Sequence, residues 1–159
     1  MIVHTLVQRL SGAAIVGGYP RDVALGGITK DVDVAVFGEQ RAEAAERLVG
    51  WLEGVGYTLV QCHSGEYNGG EIGLYDCIYQ LEHPDGIHHA VDILVFAEAS
   101  NLQECLDTFD YNMNKWYLGM SGPVWSGENF GSLMPSDKPR TQERARKMVA
   151  KARAYGWVV

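Results

Sequence analysis

The chain has 159 residues, 47% of them hydrophobic and 21% charged, with a formal net charge of -7, which fits one domain with a buried core. That acidic balance argues against extended nucleic-acid binding, because phosphate backbones are held mainly by Lys and Arg. No apolar run reaches the about 18 residues a membrane span needs, and Cys62, Cys77 and Cys105 show no C-x-x-C spacing, so they read as reduced thiols of a cytoplasmic protein.

The opening "MIVHTLVQRLSG" has no basic stretch followed by a long apolar one, so it does not read as a secretory signal. Residues 3–11 suit a short helix ended by Gly12. "AAIV" (13–16) reads as a buried strand running into Gly17-Gly18. Pro20 sits where a first helical turn tolerates it, and Gly26-Gly27 ends the helix predicted over 19–26. "VDVAVF" (32–37) is β-branched and alternating, a strand. Ala44, Leu48, Trp51 and Leu52 recur at helical spacing within 40–54. A strand over 57–62 and a glycine-rich loop over 63–73 follow. Strands over 74–82 and 88–96 flank "HPDGI", whose Pro-Asp-Gly signals a turn. Residues 100–107 suit a short helix, 111–125 read as strand, turn, strand, and 126–138 as loop. Over 140–155, Ala145, Met148, Val149, Ala152 and Tyr155 form one face of a last amphipathic helix. With no internal repeat or linker, the expected fold class is α+β: a mixed, antiparallel-rich sheet flanked by helices.

Two acids, Asp31 and Asp33, close the stretch "GGYPRDVALGGITKDVDV" (17–34). On a strand they share a face. Phosphoryl transfer to a hydroxyl uses two divalent ions about 4 Å apart on hard carboxylate oxygens. A third acid, Asp92, lies inside the apolar run "AVDILVF", where an unpaired carboxylate is costly. Asp31, Asp33 and Asp92 are therefore the candidate catalytic and metal-binding residues for two Mg²⁺ (or Mn²⁺) ions. The Gly17-Gly18 turn at a helix start offers free N–H groups to a phosphate without a Cβ in the way, and Arg21 stands one turn on. The alternative for the acids is a pair of solvated strand-end carboxylates.

The same stretch resembles the G-G-x-x-R-D-x-x-L-G-x-x-x-K-D-x-D signature of bacterial CCA-adding enzymes and poly(A) polymerases, in register at Gly17, Gly18, Arg21, Asp22, Leu25, Gly26, Lys30, Asp31 and Asp33. In that family the motif belongs to the catalytic head domain of a polymerase β-like nucleotidyltransferase. "FDYNMNK" (109–115) is similar to the family's R-D-F-T-I-N-A motif, aligning Asp110, Tyr111 and Asn114. The resemblance implies a nucleotidyltransferase fold, with 1–138 as the head and 139–159 as a basic helix like the start of a neck, packed on the same domain. It implies nucleotide contacts by Gly17, Gly18, Arg21, Asp22, Lys30, Asp110, Asn114 and Arg144. The implied reaction transfers a nucleoside monophosphate from an NTP to a hydroxyl acceptor: an RNA 3′ end, free or delivered by a partner, a protein side chain or a small molecule.

Phe109 stands where the family has arginine, with Lys115 or Arg144 as substitutes, and the family's base-selecting Glu-Asp-x-x-Arg motif does not occur in these residues. CTP/ATP selection and tRNA binding therefore do not carry over. A second functional class is a catalytically inactive nucleotide-binding regulator that keeps the fold. Five of the thirteen basic residues lie between Arg140 and Lys151; Arg144, Lys147 and Lys151 read as a solvated helix face. His83, His88 and His89 imitate a zinc cluster, but no chelating spacing recurs with cysteine. Flanking a turn, they read as exposed. Trp116, Tyr117, Trp125 and Trp157 are expected to pack in the core or at an edge.

Overall fold

The computed structural model describes residues 1–64 and 73–159; most of the glycine-rich loop expected over 63–73 lies outside the described residues. The elements follow one another as α1 (Ile2–Val7), β1 (Ala13–Val16), α2 (Gly18–Leu25), β2 (Asp31–Val36), α3 (Arg41–Gly54), β3 (Thr58–His63), β4 (Tyr75–Glu82), β5 (Ala90–Phe96), α4 (Leu102–Leu106), β6 (Trp116–Gly119), β7 (Gly122–Trp125) and α5 (Gln142–Ala154). The strands form one seven-stranded sheet in the order β3-β4-β5-β2-β1-β6-β7. Only β2 and β5 run parallel; the other neighbours are antiparallel. The mixed, antiparallel-rich α+β sheet expected from the pattern is the observed architecture.

Strand alternation sorts the side chains onto two covered faces. Val32, Val34, Val36, Val91, Ile93 and Val95 meet α1 and α3 through Val3, Leu6, Val7, Ala45, Leu48 and Leu52. On the other face Ala35, Ile78, Leu94 and Phe96 pack with Cys105 and Leu106 of α4. A third cluster, Tyr111, Met113, Met148, Ala152 and Trp157, holds α5. The aromatics pack on one another as expected: the Trp157 ring lies 4.9 Å from Phe130 and 6.4 Å from Trp125.

Two boundaries differ from the sequence reading. The first helix ends at Val7 rather than running to residue 11, because Arg9 and Leu10 N–H groups turn to Leu6 and Val7 carbonyls in tighter bonds. That tightening delivers Gly12 against β2's end, where a Cβ would sit 2.7 Å from the Phe37 carbonyl oxygen. The segment at 111–114 is a bridge and a 3₁₀ turn, Asn112–Asn114, not a strand. Its backbone is held by loop and side chain instead of a ladder: Asn112 Nδ2 donates to Glu128 and Ser132 carbonyls, and its Oδ1 accepts from Met134 N–H.

All three cysteines are free thiols. Among the described residues no helix is long and apolar enough to cross a membrane.

Candidate functional site

The three acids meet because β2 and β5, the parallel pair at the sheet's centre, bring Asp33 opposite Asp92. Neighbouring strands lie about 4.8 Å apart, and parallel partners point to the same face. Asp31, two residues earlier and opposite Ala90, shares that face and is exposed, whereas Asp33 and Asp92 are half-buried. The sequence reading set Val91 and Ile93 on the core face, away from Asp92; both do sit in the helix-covered cluster. Its other face is not open along its length, since Leu94 and Phe96 are buried beneath α4. The acids thus occupy the uncovered start of an otherwise packed face.

Gly17 ends β1 with φ +77°, a conformation glycine adopts without penalty. Its N–H donates to the Trp116 carbonyl, which hangs the turn on β6. A Cβ there would lie 3.8 Å from Asp33 Oδ2 and 3.9 Å from the Phe109 ring, so the bare α-carbon forms one side of a cradle around the Asp33 carboxylate. Three all-oxygen donors beside that cradle fit hard divalent cations such as Mg²⁺ or Mn²⁺.

Behind the turn a hydrogen-bonded chain joins most of the other expected residues. Arg21 is 7% exposed and Asp22 1%. Arg21 Nε donates to Asp22 Oδ1 at 2.8 Å, and Nη1 donates to Asn114 Oδ1 at 2.6 Å. Tyr155 Oη donates to the same Asp22 oxygen at 2.5 Å. Asn114 Nδ2 reaches Asp110 Oδ1 at 3.4 Å, and Arg144 grips both oxygens of Asp110, at 2.9 and 3.3 Å. Arg144 and Tyr155 lie near opposite ends of α5, so that helix is fastened twice. Its first turn is capped by the Thr141 hydroxyl, which accepts the Arg144 N–H. Burial, then the Asp22 carboxylate, pushes the Tyr155 phenol up to about 12. Burial, then the charge of Asp33, raises Tyr75 as well, so both phenols keep their protons at neutral pH.

A cavity of about 360 Å³ opens over this arrangement. Gly17, Gly18, Arg21, Asp22, Lys30, Asp33, Asp110, Asn114 and Arg144 line it. Of the three acids only Asp33 lines it; Asp92 is Asp33's partner on the neighbouring strand, and Asp31 is the exposed one. Of the two candidates to replace the arginine at 109, Arg144 lines the cavity, whereas the Lys115 ammonium lies 4.0 Å from Asp107.

Sequence reasoning left one wall unassigned. Lys138, Arg140, Lys147 and Lys151 also line the cavity, so the helix face read as solvated borders it, with Lys147 exposed and Arg144 and Lys151 half-buried. With Arg21, Lys30 and Arg144 they place seven of the chain's thirteen Lys and Arg side chains around one cavity, against three acids, Asp22, Asp33 and Asp110. In a chain of net charge -7 that concentration makes the cavity locally cationic. The signal was present: basic residues at 144, 147 and 151 repeat at helical spacing in an otherwise acidic chain. Arg140 is itself positioned, donating to Ser136 and Lys138 carbonyls while its guanidinium lies 5.2 Å from the Tyr111 ring.

The histidines also depart from the reading. His88 is exposed, but His83 and His89 are half-buried; His89 packs edge-on to Tyr19 at 5.2 Å.

No protein-family profile and no curated protein matches the chain. Solved structures do. An apo CCA-adding enzyme superposes with a TM-score of 0.50 at 22% identity, covering 74% of this chain and 25% of that one. A tRNA nucleotidyltransferase complexed with a primer tRNA and an incoming ATP analog gives 0.46 at 23%, covering 85% and 34%. The Bacillus stearothermophilus CCA-adding enzyme in complex with CTP gives 0.46 at 18%, covering 77% and 28%. The chain spans about a quarter of the length of the first of these, and the likeness is one of fold: the mixed sheet and its flanking helices resemble those of the apo CCA-adding enzyme.

Proposed function

We propose that the chain is a metal-dependent nucleotidyltransferase, moving a nucleoside monophosphate from an NTP to a hydroxyl and releasing pyrophosphate. One observation carries the reading: Asp33 opposite Asp92 on adjacent parallel strands, with Asp31 on the same face, beside a cavity lined by seven basic side chains. Asp31, Asp33 and Asp92 would hold two Mg²⁺ or Mn²⁺ ions, which when bound acidify the attacking hydroxyl and stabilise the leaving pyrophosphate.

The chain's own groups do the rest. The Gly18 N–H and the start of α2 seat a phosphate, the Gly17 N–H being held by the Trp116 carbonyl. Lys30, Arg140, Arg144, Lys147 and Lys151 neutralise the triphosphate, because charge-assisted hydrogen bonds to phosphate are the strong ones. Asp22 acts at one remove, fixing Arg21 through its 2.8 Å bond, as does Asn114. Asp92 accepts the proton of the acceptor hydroxyl. Phe109, against Gly17, supplies an apolar wall that keeps water from the reacting phosphate. Residues 1–138 and the helix of 139–159 work as one unit in this reading, since the helix is the cationic wall. The motif at 17–33 makes an RNA 3′ end the first acceptor to try.

The test is transfer of label from each α-labelled NTP, with Mg²⁺ or Mn²⁺, to RNA, protein and small-molecule fractions. Wild type labels one fraction, and Asp33→Asn lowers the rate by at least about 10³-fold, some 4 kcal/mol of transition-state stabilisation. Equal labelling by Asp33→Asn and wild type overturns the assignment. Phe109, in place of an arginine, favours a second reading, a nucleotide-binding regulator; its signature is metal-dependent NTP binding with no pyrophosphate released.

A further inference from the structure

A second cluster sits on the turn between β4 and β5, built from His83, Asp85 and His88. Asp85 Oδ1 lies 2.9 Å from His83 Nδ1, and Oδ2 lies 2.6 Å from His88 Nδ1. The two imidazole rings stack with centroids 4.4 Å apart at 28°. All three donor atoms fall within 4.8 Å of one another, so small side-chain rotations bring them inside the about 4.4 Å that bonds of about 2.0–2.2 Å to one ion allow.

Each donor is held from behind. Asp85 Oδ1 accepts the N–H groups of Ile87 and His88 at 2.9 and 3.2 Å. His83 Nε2 lies 3.3 Å from the Val55 carbonyl oxygen. A carbonyl only accepts, so Nε2 carries the ring proton and Nδ1 keeps its lone pair. The Asp85 N–H, 3.3 Å from Nδ1, agrees with that tautomer. The ring is wedged over Gly56, where a Cβ would lie 2.7 Å from Nε2, and meets Tyr57 edge-on at 5.1 Å. An imidazole whose far N–H is tied to a carbonyl is the arrangement that orients metal-ligating histidines.

Electrostatics then asks for a cation. A lone pair on His83 Nδ1 facing a carboxylate oxygen at 2.9 Å is repulsive without positive charge between them. His88 Nδ1, 2.6 Å from the other oxygen, meets it as a hydrogen-bond donor and becomes a ligand once that proton is released to a metal. A divalent ion between the three groups supplies the positive charge that His83 Nδ1 and the carboxylate share.

We propose that His83 Nδ1, the Asp85 carboxylate and His88 Nδ1 bind a single borderline divalent cation of the Zn²⁺, Co²⁺ or Ni²⁺ class, with the remaining coordination open to solvent. Imidazole ligands select this class over Mg²⁺, which separates the site from the all-oxygen acids of the cavity, and the inference does not rest on the proposed activity. The ion ties the turn that opens β5, and so Asp92, to Val55 just ahead of β3.

Isothermal titration of the full chain with Zn²⁺, in excess Mg²⁺ to mask the carboxylate cavity, is the test, with a parallel Co²⁺ titration read by d–d absorption. Wild type takes up one Zn²⁺. His88→Ala and Asp85→Asn each lower the affinity at least about tenfold, with unchanged circular dichroism, whereas Asp33→Asn does not. Because the His88 side chain is 47% exposed, that variant does not endanger the fold. Imidazole ¹⁵N spectra show Nδ1 ligation with the His83 Nε2 proton retained. No Zn²⁺ uptake, uptake that survives His88→Ala and Asp85→Asn, uptake lost in Asp33→Asn, or ligation through Nε2 would each overturn the proposal.

Discussion

Gly27→Ala probes the fastening of α5 through a single methyl group. An alanine Cβ at 27 would lie 1.7 Å from Tyr155 Oη and 2.8 Å from its Cζ, so the phenol must leave. Gly27 is not among the positive-φ glycines, so the backbone itself accepts alanine. Displacing the phenol breaks its 2.5 Å bond to Asp22, a carboxylate 1% exposed whose Oδ2 already has no hydrogen-bond partner among the described residues. A hydrogen bond to a charged group contributes about 1.5–3 kcal/mol. For a chain of this size that loss lowers Tm by roughly 3–12 °C. The assay is urea and thermal unfolding followed by circular dichroism, for wild type, Gly27→Ala, Tyr155→Ala and the double variant. With the ring gone, Gly27→Ala costs nothing and stabilises by up to about 1 kcal/mol through the unfolded chain. The sign of the substitution therefore reverses between backgrounds, and the coupling of about 2–3 kcal/mol far exceeds the 0.3–0.5 kcal/mol or so within which independent sites add. An equal cost of Gly27→Ala in both backgrounds refutes the assignment of the clash to Tyr155.

Lys147→Ala with Lys151→Ala weakens binding of a non-hydrolysable NTP about tenfold at low salt, or ~1.4 kcal/mol, measured by calorimetry, and the deficit shrinks as ionic strength rises. Brief alkylation at pH 8 followed by peptide mapping labels exposed Cys62 and spares Cys105, a buried thiol that burial, then Glu104, pushes up to about 12. Because the Tyr155 phenol is raised from 10.0 to about 12 in the fold, its contribution to stability is full below pH 10 and is lost as pH rises toward 12. Tyr155→Phe accordingly flattens the fall of unfolding free energy with pH in that window, by at most about 1.4 kcal/mol per pH unit.

Local pattern carried the elements and the facing of Asp31 and Asp33, because alternation and glycine placement are properties of adjacent residues. The partnership of Asp33 with Asp92 depends on β2 pairing with a strand that begins 59 residues after Asp31, and no local signal names a partner strand. The error at 111–114 has a similar source. Asn112 satisfies distant backbone groups with its side chain, an arrangement that a strand-like composition conceals. The basic face of α5 was visible as a pattern, but its direction was not, since a charged stripe faces solvent unless something across from it supplies the opposite charge. Here Asp110 does, through Arg144.

The two fastenings of α5 also set an order in time. Asp22 and Tyr155 are separated by 133 residues, and Asp110 and Arg144 by 34. Synthesis at about 5–20 residues per second puts roughly 7–27 s between the arrival of Asp22 and that of Tyr155. For most of that interval the nascent chain already has the turn at Gly17 and the acids of β2, yet lacks the cations of α5. The cationic wall of the cavity is therefore added only after all seven strands of the sheet have been made.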